Sequence, residues 1–132
     1  MRATDLKFLV ADDFTTMRRI IVGLLRESGF SDTVEADNGQ SAFRQVKRVD
    51  ANYFIISDWN MPIWTGLDFL TAVRADPVLS MTPFLLVTAE AKRENILTAV
   101  HAGADGYIVK PFTAVTLKNK LLQILAKRGI EV

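Results

Sequence analysis

Apolar positions along the chain fall into two kinds of run that alternate. The first kind is short and continuous, as in Phe8-Leu9-Val10-Ala11 and Phe54-Ile55-Ile56-Ser57. Such runs are too brief for helices and rich in β-branched and aromatic residues, so they read as strands buried on both faces, the pattern of a parallel sheet. The second kind is longer, with apolar residues every three or four positions, as expected of a helix that covers a core with one face. The pattern predicts a strand over about 7–11 and a helix over 15–28, where Met17, Ile20, Ile21, Leu24 and Leu25 recur at helical spacing. Gly29 stands just beyond, where a left-handed residue commonly ends a helix. A strand at 33–36, a helix at 39–49 and a strand at 53–57 follow. The next helix, 66–75, is stopped by Asp76-Pro77, because the residue before proline avoids helical geometry. A strand at 84–87, a helix at 92–102 and a strand at 106–109 come next. The last helix runs to 127 with Thr113 as its N-cap and Leu117, Leu121, Ile124 and Leu125 facing inward.

Strand and helix alternate without hairpin signals, which implies a parallel sheet covered on both faces. Right-handed crossovers with one reversal of winding after the first strand give the order 2-1-3-4-5, a flavodoxin-like, doubly wound α/β fold with five strands and five helices. In such a sheet the first and third strands flank the switch point, and their carboxyl ends open on the crevice where ligands bind. Asp12 and Asp13 follow the first strand and Asp58 follows the third. Carboxylates crowded together raise one another's pKa, and a hard cation with oxygen ligands relieves them. An acidic pocket for Mg²⁺ is therefore expected.

Composition narrows the setting. A chain of 132 residues fits one domain, 1–132, with a sizeable core. Its 49% hydrophobic and 23% charged content is ordinary for a soluble globular protein. No stretch approaches the ~20 apolar residues of a membrane span, and Met1-Arg2-Ala3-Thr4-Asp5 lacks the apolar core of a signal peptide. With no cysteine, disulfides and thiolate metal sites are excluded, and the cytoplasm is the expected location. Sixteen basic against fifteen acidic residues give a net charge of +1, which does not argue for nucleic acid. The basic pairs Arg18-Arg19, Lys47-Arg48, Lys92-Arg93 and Lys127-Arg128 read as solvated helix surface. No membrane partner is expected, and the protein is expected to be a monomer. The chain ends soon after the last helix, so an attached DNA-binding domain is not expected.

The strand ends carry an ordered set of motifs: Asp12-Asp13-Phe14, Ser57-Asp58-Trp59-Asn60-Met61-Pro62, Val87-Thr88-Ala89-Glu90-Ala91-Lys92 and Gly106-Tyr107-Ile108-Val109-Lys110-Pro111-Phe112-Thr113. In this order and spacing, over nearly the whole chain, the set resembles the receiver domains of two-component response regulators, and among them the CheY-type chemotaxis regulators. The resemblance implies that Asp58 accepts a phosphoryl group from a kinase phosphohistidine. It implies a Mg²⁺ ion held by Asp13 directly, by Asp12 largely through water, by Asp58 and by the backbone carbonyl of Asn60. Lys110 would supply a point charge to a phosphoryl oxygen and the Thr88 hydroxyl a hydrogen bond. Lys110-Pro111 would be a cis peptide. The output face would be the fourth helix, fifth strand and fifth helix, with Ile96, Tyr107, Val109 and Lys120 in partner-contact positions. Asn60 and Glu90 would tune loss of the phosphoryl group, and Trp59, beside Asp58, would report on the site. The implied partners are a chemotaxis histidine kinase and the flagellar motor switch protein, with a phosphatase as an optional third.

Blander readings stand beside these. Taken singly, Asp13 could cap the first helix, Lys110 could simply pair with buried carboxylates, and Thr88 could bond local backbone. The chain departs from the family at Ile63-Trp64-Thr65, where a less bulky segment ending in Asp-Gly is usual; Trp64 is expected at the lip of the pocket, packed against a neighbouring loop. His101 reads as surface decoration. Two functions share the receiver chemistry: a stand-alone regulator of the flagellar motor, and a phosphate sink or relay element without a motor partner. An aspartyl phosphatase would want a second carboxylate two residues after the nucleophile, where Asn60 stands, so turnover on outside substrates is not expected. A flavin site would want a phosphate-cradling loop after the first strand, where two aspartates stand instead.

Overall fold

The computed structural model describes residues 1–89 and 92–132. Strands β1 (Lys7–Ala11), β2 (Thr33–Ala36), β3 (Tyr53–Asp58), β4 (Phe84–Thr88) and β5 (Gly106–Val109) alternate with helices α1 (Thr15–Glu27), α2 (Gly39–Arg48), α3 (Gly66–Ala75), α4 (Arg93–Ala102) and α5 (Ala114–Lys127). All strand pairs are parallel and the order is β2-β1-β3-β4-β5, the expected doubly wound order. β3 and β4 each run one residue further than hydrophobicity suggested, because the ladder continues through polar residues: Asp58 pairs with Val87 and Thr88 with Val109.

Period-two alternation divides the strand residues between two cores. Phe8, Val10, Phe54, Ile56, Leu85, Val87 and Ile108 pack with Ile21 and Leu25 of α1 and Leu117, Leu121, Ile124 and Leu125 of α5. Leu9, Ala11, Tyr53, Ile55, Phe84 and Leu86 pack on the other face with residues of α2, α3 and α4. Phe8 anchors the first core, its ring 4.9 Å from that of Phe30 and 5.3 Å from that of Phe54. Truncating a fully buried phenylalanine of this kind costs about 3–5 kcal/mol, so the sheet is a rigid platform for whatever its ends carry.

Helix ends follow their sequence signals. Asn38, Thr65 and Thr113 cap α2, α3 and α5 by accepting from Ser41, Asp68 and Thr116, and Asp68 completes a capping box on α3. Gly29, beyond α1, has a φ of 92°, which glycine adopts without strain. The prolyl bond Lys110-Pro111 is cis.

One feature at the amino-terminal edge of the sheet had no periodic signature. Asp105 accepts from Arg74 Nη2 at 3.2 Å, from Arg128 Nε and Nη2 at 2.9 Å each, and from the Phe84 backbone N–H at 2.8 Å. Arg74 also donates to the carbonyls of Ser80, Thr82 and Gly103. Burial lowers the pKa of the Arg74 guanidinium and the Asp105 charge opposes that shift. This knot ties α3, β4, β5 and the end of α5 at the pole opposite the strand-end aspartates.

Candidate functional site

Three carboxylates converge at the carboxyl ends of β1 and β3. Oxygen atoms of Asp12, Asp13 and Asp58 all lie within 4.8 Å of one another. Asp12 is fully buried and held from three sides. Its backbone N–H donates to the Ala36 carbonyl at 3.1 Å, its Oδ1 accepts from the Phe14 N–H at 2.9 Å, and its Oδ2 accepts from Lys110 Nζ at 3.1 Å. Asp58 is only 6% exposed, and its Oδ2 lies 3.3 Å from the same ammonium. Asp13 is exposed, and no side chain caps α1, whose N-cap residue is Phe14. The capping reading of Asp13 therefore fails.

The electrostatics are unbalanced. Burial raises the pKa of Asp58 and the neighbouring Asp12 charge raises it further, against the lowering effect of Lys110. One ammonium between two buried carboxylates, with a third beside them, leaves surplus negative charge. The donor set is all oxygen and clustered at metal-ligand spacing, so the residues fit a hard divalent cation.

The neighbouring loops are pinned by backbone. Trp59 donates its N–H to the Val87 carbonyl and accepts from the Gly66 N–H at 2.8 Å. Gly66 is obligatory, since a Cβ there would meet the Asp58 carbonyl oxygen at 2.1 Å. Trp64 packs against α2, its ring 5.7 Å from Phe43 and its carbonyl accepting from the Gly39 N–H. A Cβ on Gly39 would sit 2.8 Å from the Trp64 Cβ, so the packing is close, and its partner is helix α2 rather than the neighbouring loop that was expected. Just before Trp64, Ile63 adopts a φ of 70°, in the left-handed region that β-branched residues avoid, and is 70% exposed.

Thr88 is 4% exposed at the end of β4, where its carbonyl accepts from the Lys110 N–H at 2.8 Å. Asn60 is exposed beside half-buried Trp59, and Glu90 lies outside the described residues. Ile96 on α4, Tyr107 and Val109 on β5 and Lys120 on α5 are all half-buried, so none is freely solvated surface. Lys120 Nζ lies 5.7 Å from the centroid of the Tyr107 ring, a cation–π contact, and both line a cavity with Val100, Gln123, Ile124 and Lys127. His101 is exposed, as expected.

Arg18 was misread as solvated surface with Arg19. Its side chain is 15% exposed, and its guanidinium reaches the Asp12 carbonyl at 2.6 Å, Glu35 Oε1 at 3.0 Å and Thr15 Oγ1 at 3.2 Å. Neighbouring Arg19 is exposed. No local pattern separates these two arginines; only the place of α1 over the end of β1 does.

Comparison with known proteins agrees with this geometry. Residues 8–122 match the family model described as response regulator receiver domain. The chain is 52% identical over 123 residues to the chemotaxis protein CheY-3 of Vibrio cholerae serotype O1, covering 93% of this chain and 94% of that protein. It is 52% identical over 122 residues to the chemotaxis protein CheY of Pseudomonas aeruginosa, covering 92% of this chain and 98% of that one. Among solved structures, the chemotaxis response regulator CheY4 of Vibrio cholerae superposes with a TM-score of 0.84 at 34% identity, over 92% of this chain and 100% of the other.

Proposed function

The chain belongs to the response regulator receiver family, and from that premise we propose that it is a chemotaxis response regulator, phosphorylated on Asp58 and read by the flagellar motor switch protein. The observation that carries this reading is the Asp58 carboxylate, buried against Asp12 and Lys110 yet within reach of a cation shared with Asp13. A chemotaxis histidine kinase supplies the phosphoryl group. An Asp58 oxygen attacks phosphorus, the P–N bond to the kinase imidazole breaks, and the electron pair leaves with the imidazole, which takes up a proton. Mg²⁺, the cation proposed for the site, supplies neutralising charge for the phosphoryl oxygens when bound.

The chain's own residues do the rest. Asp13, Asp58 and the Asn60 carbonyl would hold the ion directly, and Asp12 largely through water. Lys110, already placed between Asp12 and Asp58, moves to a phosphoryl oxygen once Asp58 is an acyl phosphate, and the Thr88 hydroxyl donates to another. Both shifts bias Tyr107 and the face of α4, β5 and α5, where Ile96, Val109 and Lys120 meet the partner; Asn60 and Glu90 set how long the phosphoryl group survives, and Trp59 reports on the site. On this reading residues 1–132 act as one monomeric receiver unit in the cytoplasm. No described helix is long and apolar enough to cross a membrane.

The motor reading is tested by the affinity of the protein for a motor switch peptide, with and without a beryllofluoride phosphoryl mimic. We expect the mimic to tighten binding by roughly five- to a hundredfold, the usual range for coupled sites. Equal affinity in both states contradicts motor binding and favours the phosphate sink.

A further inference from the structure

We propose that Arg18 is a positioning residue for the metal site, aiming Asp13 by fixing the peptide planes on either side of it; the inference rests on the Mg²⁺ reading above. Asp13 is exposed, and no hydrogen bond among the described residues holds its carboxylate. Its direction is therefore set by the backbone. The carbonyl of the 12–13 peptide accepts from Arg18 Nη1 at 2.6 Å, and the N–H of the 13–14 peptide donates to Asp12 Oδ1 at 2.9 Å. Asp13 thus sits between two pinned peptide units, one held by Arg18 and the other by the adjacent carboxylate.

Arg18 is itself anchored. Its Nε donates to Glu35 on β2 and its Nη2 to Thr15 in the first turn of α1. The planar guanidinium fork joins the residue after β1 to β2 and α1, which a point-charged ammonium does not do in one geometry. Groups behind metal ligands orient them, and losing such a group weakens metal binding roughly ten- to a hundredfold. Charge alone argues the other way. Arg18 is a cation near a cation site, so by Coulomb's law its removal on that ground alone tightens Mg²⁺ binding. Positioning and charge predict opposite signs.

Mg²⁺ titration followed by Trp59 fluorescence, on the full chain carrying Trp64→Phe, separates them. Arg18→Ala is expected to weaken Mg²⁺ binding about tenfold. Glu35→Gln, which breaks the ion pair and leaves the Asp12 bond, is expected to stay within about twofold of the parent. Arg18→Lys, with one donor centre in place of a fork, is expected to weaken binding by a smaller factor than alanine. Circular dichroism establishes that each variant is folded, and if Arg18→Ala is not, Arg18→Lys decides by the same criterion. Unchanged or tighter Mg²⁺ binding in the folded arginine variant overturns the proposal. If Asp13→Ala abolishes the response while Arg18→Ala leaves it intact, the metal reading stands and only the role of Arg18 falls; a parent that shows no Mg²⁺ response overturns both.

Discussion

Lys110 holds two carboxylates with one ammonium, 3.1 Å from Asp12 and 3.3 Å from Asp58, and this shared contact is what phosphorylation is proposed to break. Lys110→Ala is expected to keep Mg²⁺ binding, since the oxygen ligands remain. It is also expected to leave the phosphorylated protein with no more affinity for a motor switch peptide than the unmodified one. Parallel Mg²⁺ titration and peptide binding check both halves; a variant that still responds to phosphorylation removes Lys110 from the coupling. At this scale legibility in the sequence followed chemical oddity. Asp58 was visible because a carboxylate has little other reason to follow Phe54-Ile55-Ile56, and Asp12 because it follows a run as apolar. Arg18 and Asp105 were not visible. An arginine on an amphipathic helix and an aspartate before a strand look like solvated surface until the fold brings their partners from distant segments.

Elements were legible almost to their ends, because long periodic runs and cap residues leave few alternatives, and the differences were single residues at strand and helix ends. What periodicity did not carry was how closely backbones approach. α3 begins against the Asp58 carbonyl, where only glycine fits. Gly66→Ala is therefore expected to push α3 off β3, lowering stability by about 1–3 kcal/mol in denaturant unfolding and slowing acyl-phosphate labelling of the site. Unchanged labelling would mean that this contact does not set the position of Asp58. A second contact between elements gives a pH dependence. Asp76, the C-cap of α3, accepts from Lys47 of α2 at 2.6 Å, and that hydrogen bond, aided by the Val78 and Leu79 N–H groups, lowers its pKa below the ordinary 3.8. A carboxyl depressed on folding stabilises above its unfolded pKa and loses that contribution as pH falls through the folded value. Thermal unfolding of Asp76→Asn against the parent is expected to differ at neutral pH and to converge below 3.8. A difference that persists undiminished into acid would assign the effect to packing rather than charge.

On the proposed function, the whole molecule separates chemistry from readout. The strand-end site lies at one pole, the Asp105 knot braces the other, and the face of α4, β5 and α5 stands to the side, joined to the site through Thr88 and Lys110 at the ends of β4 and β5. Handed crossovers limited the sheet to a few doubly wound orders, and the likeness to a known five-stranded order chose among them. The partner could not be read from pattern: Tyr107, Val109 and Ile96 are half-buried residues of ordinary type, and nothing in their spacing names what covers them. Everything proposed downstream depends on Asp58 carrying the phosphoryl group. Intact-mass and peptide mass spectrometry after incubation with an acyl-phosphate donor and Mg²⁺ tests that most directly. One added phosphoryl group is expected, on the peptide containing Asp58, absent without Mg²⁺ and absent from Asp58→Asn. A phosphoryl group on another residue, or undiminished labelling of Asp58→Asn, contradicts phosphorylation at Asp58.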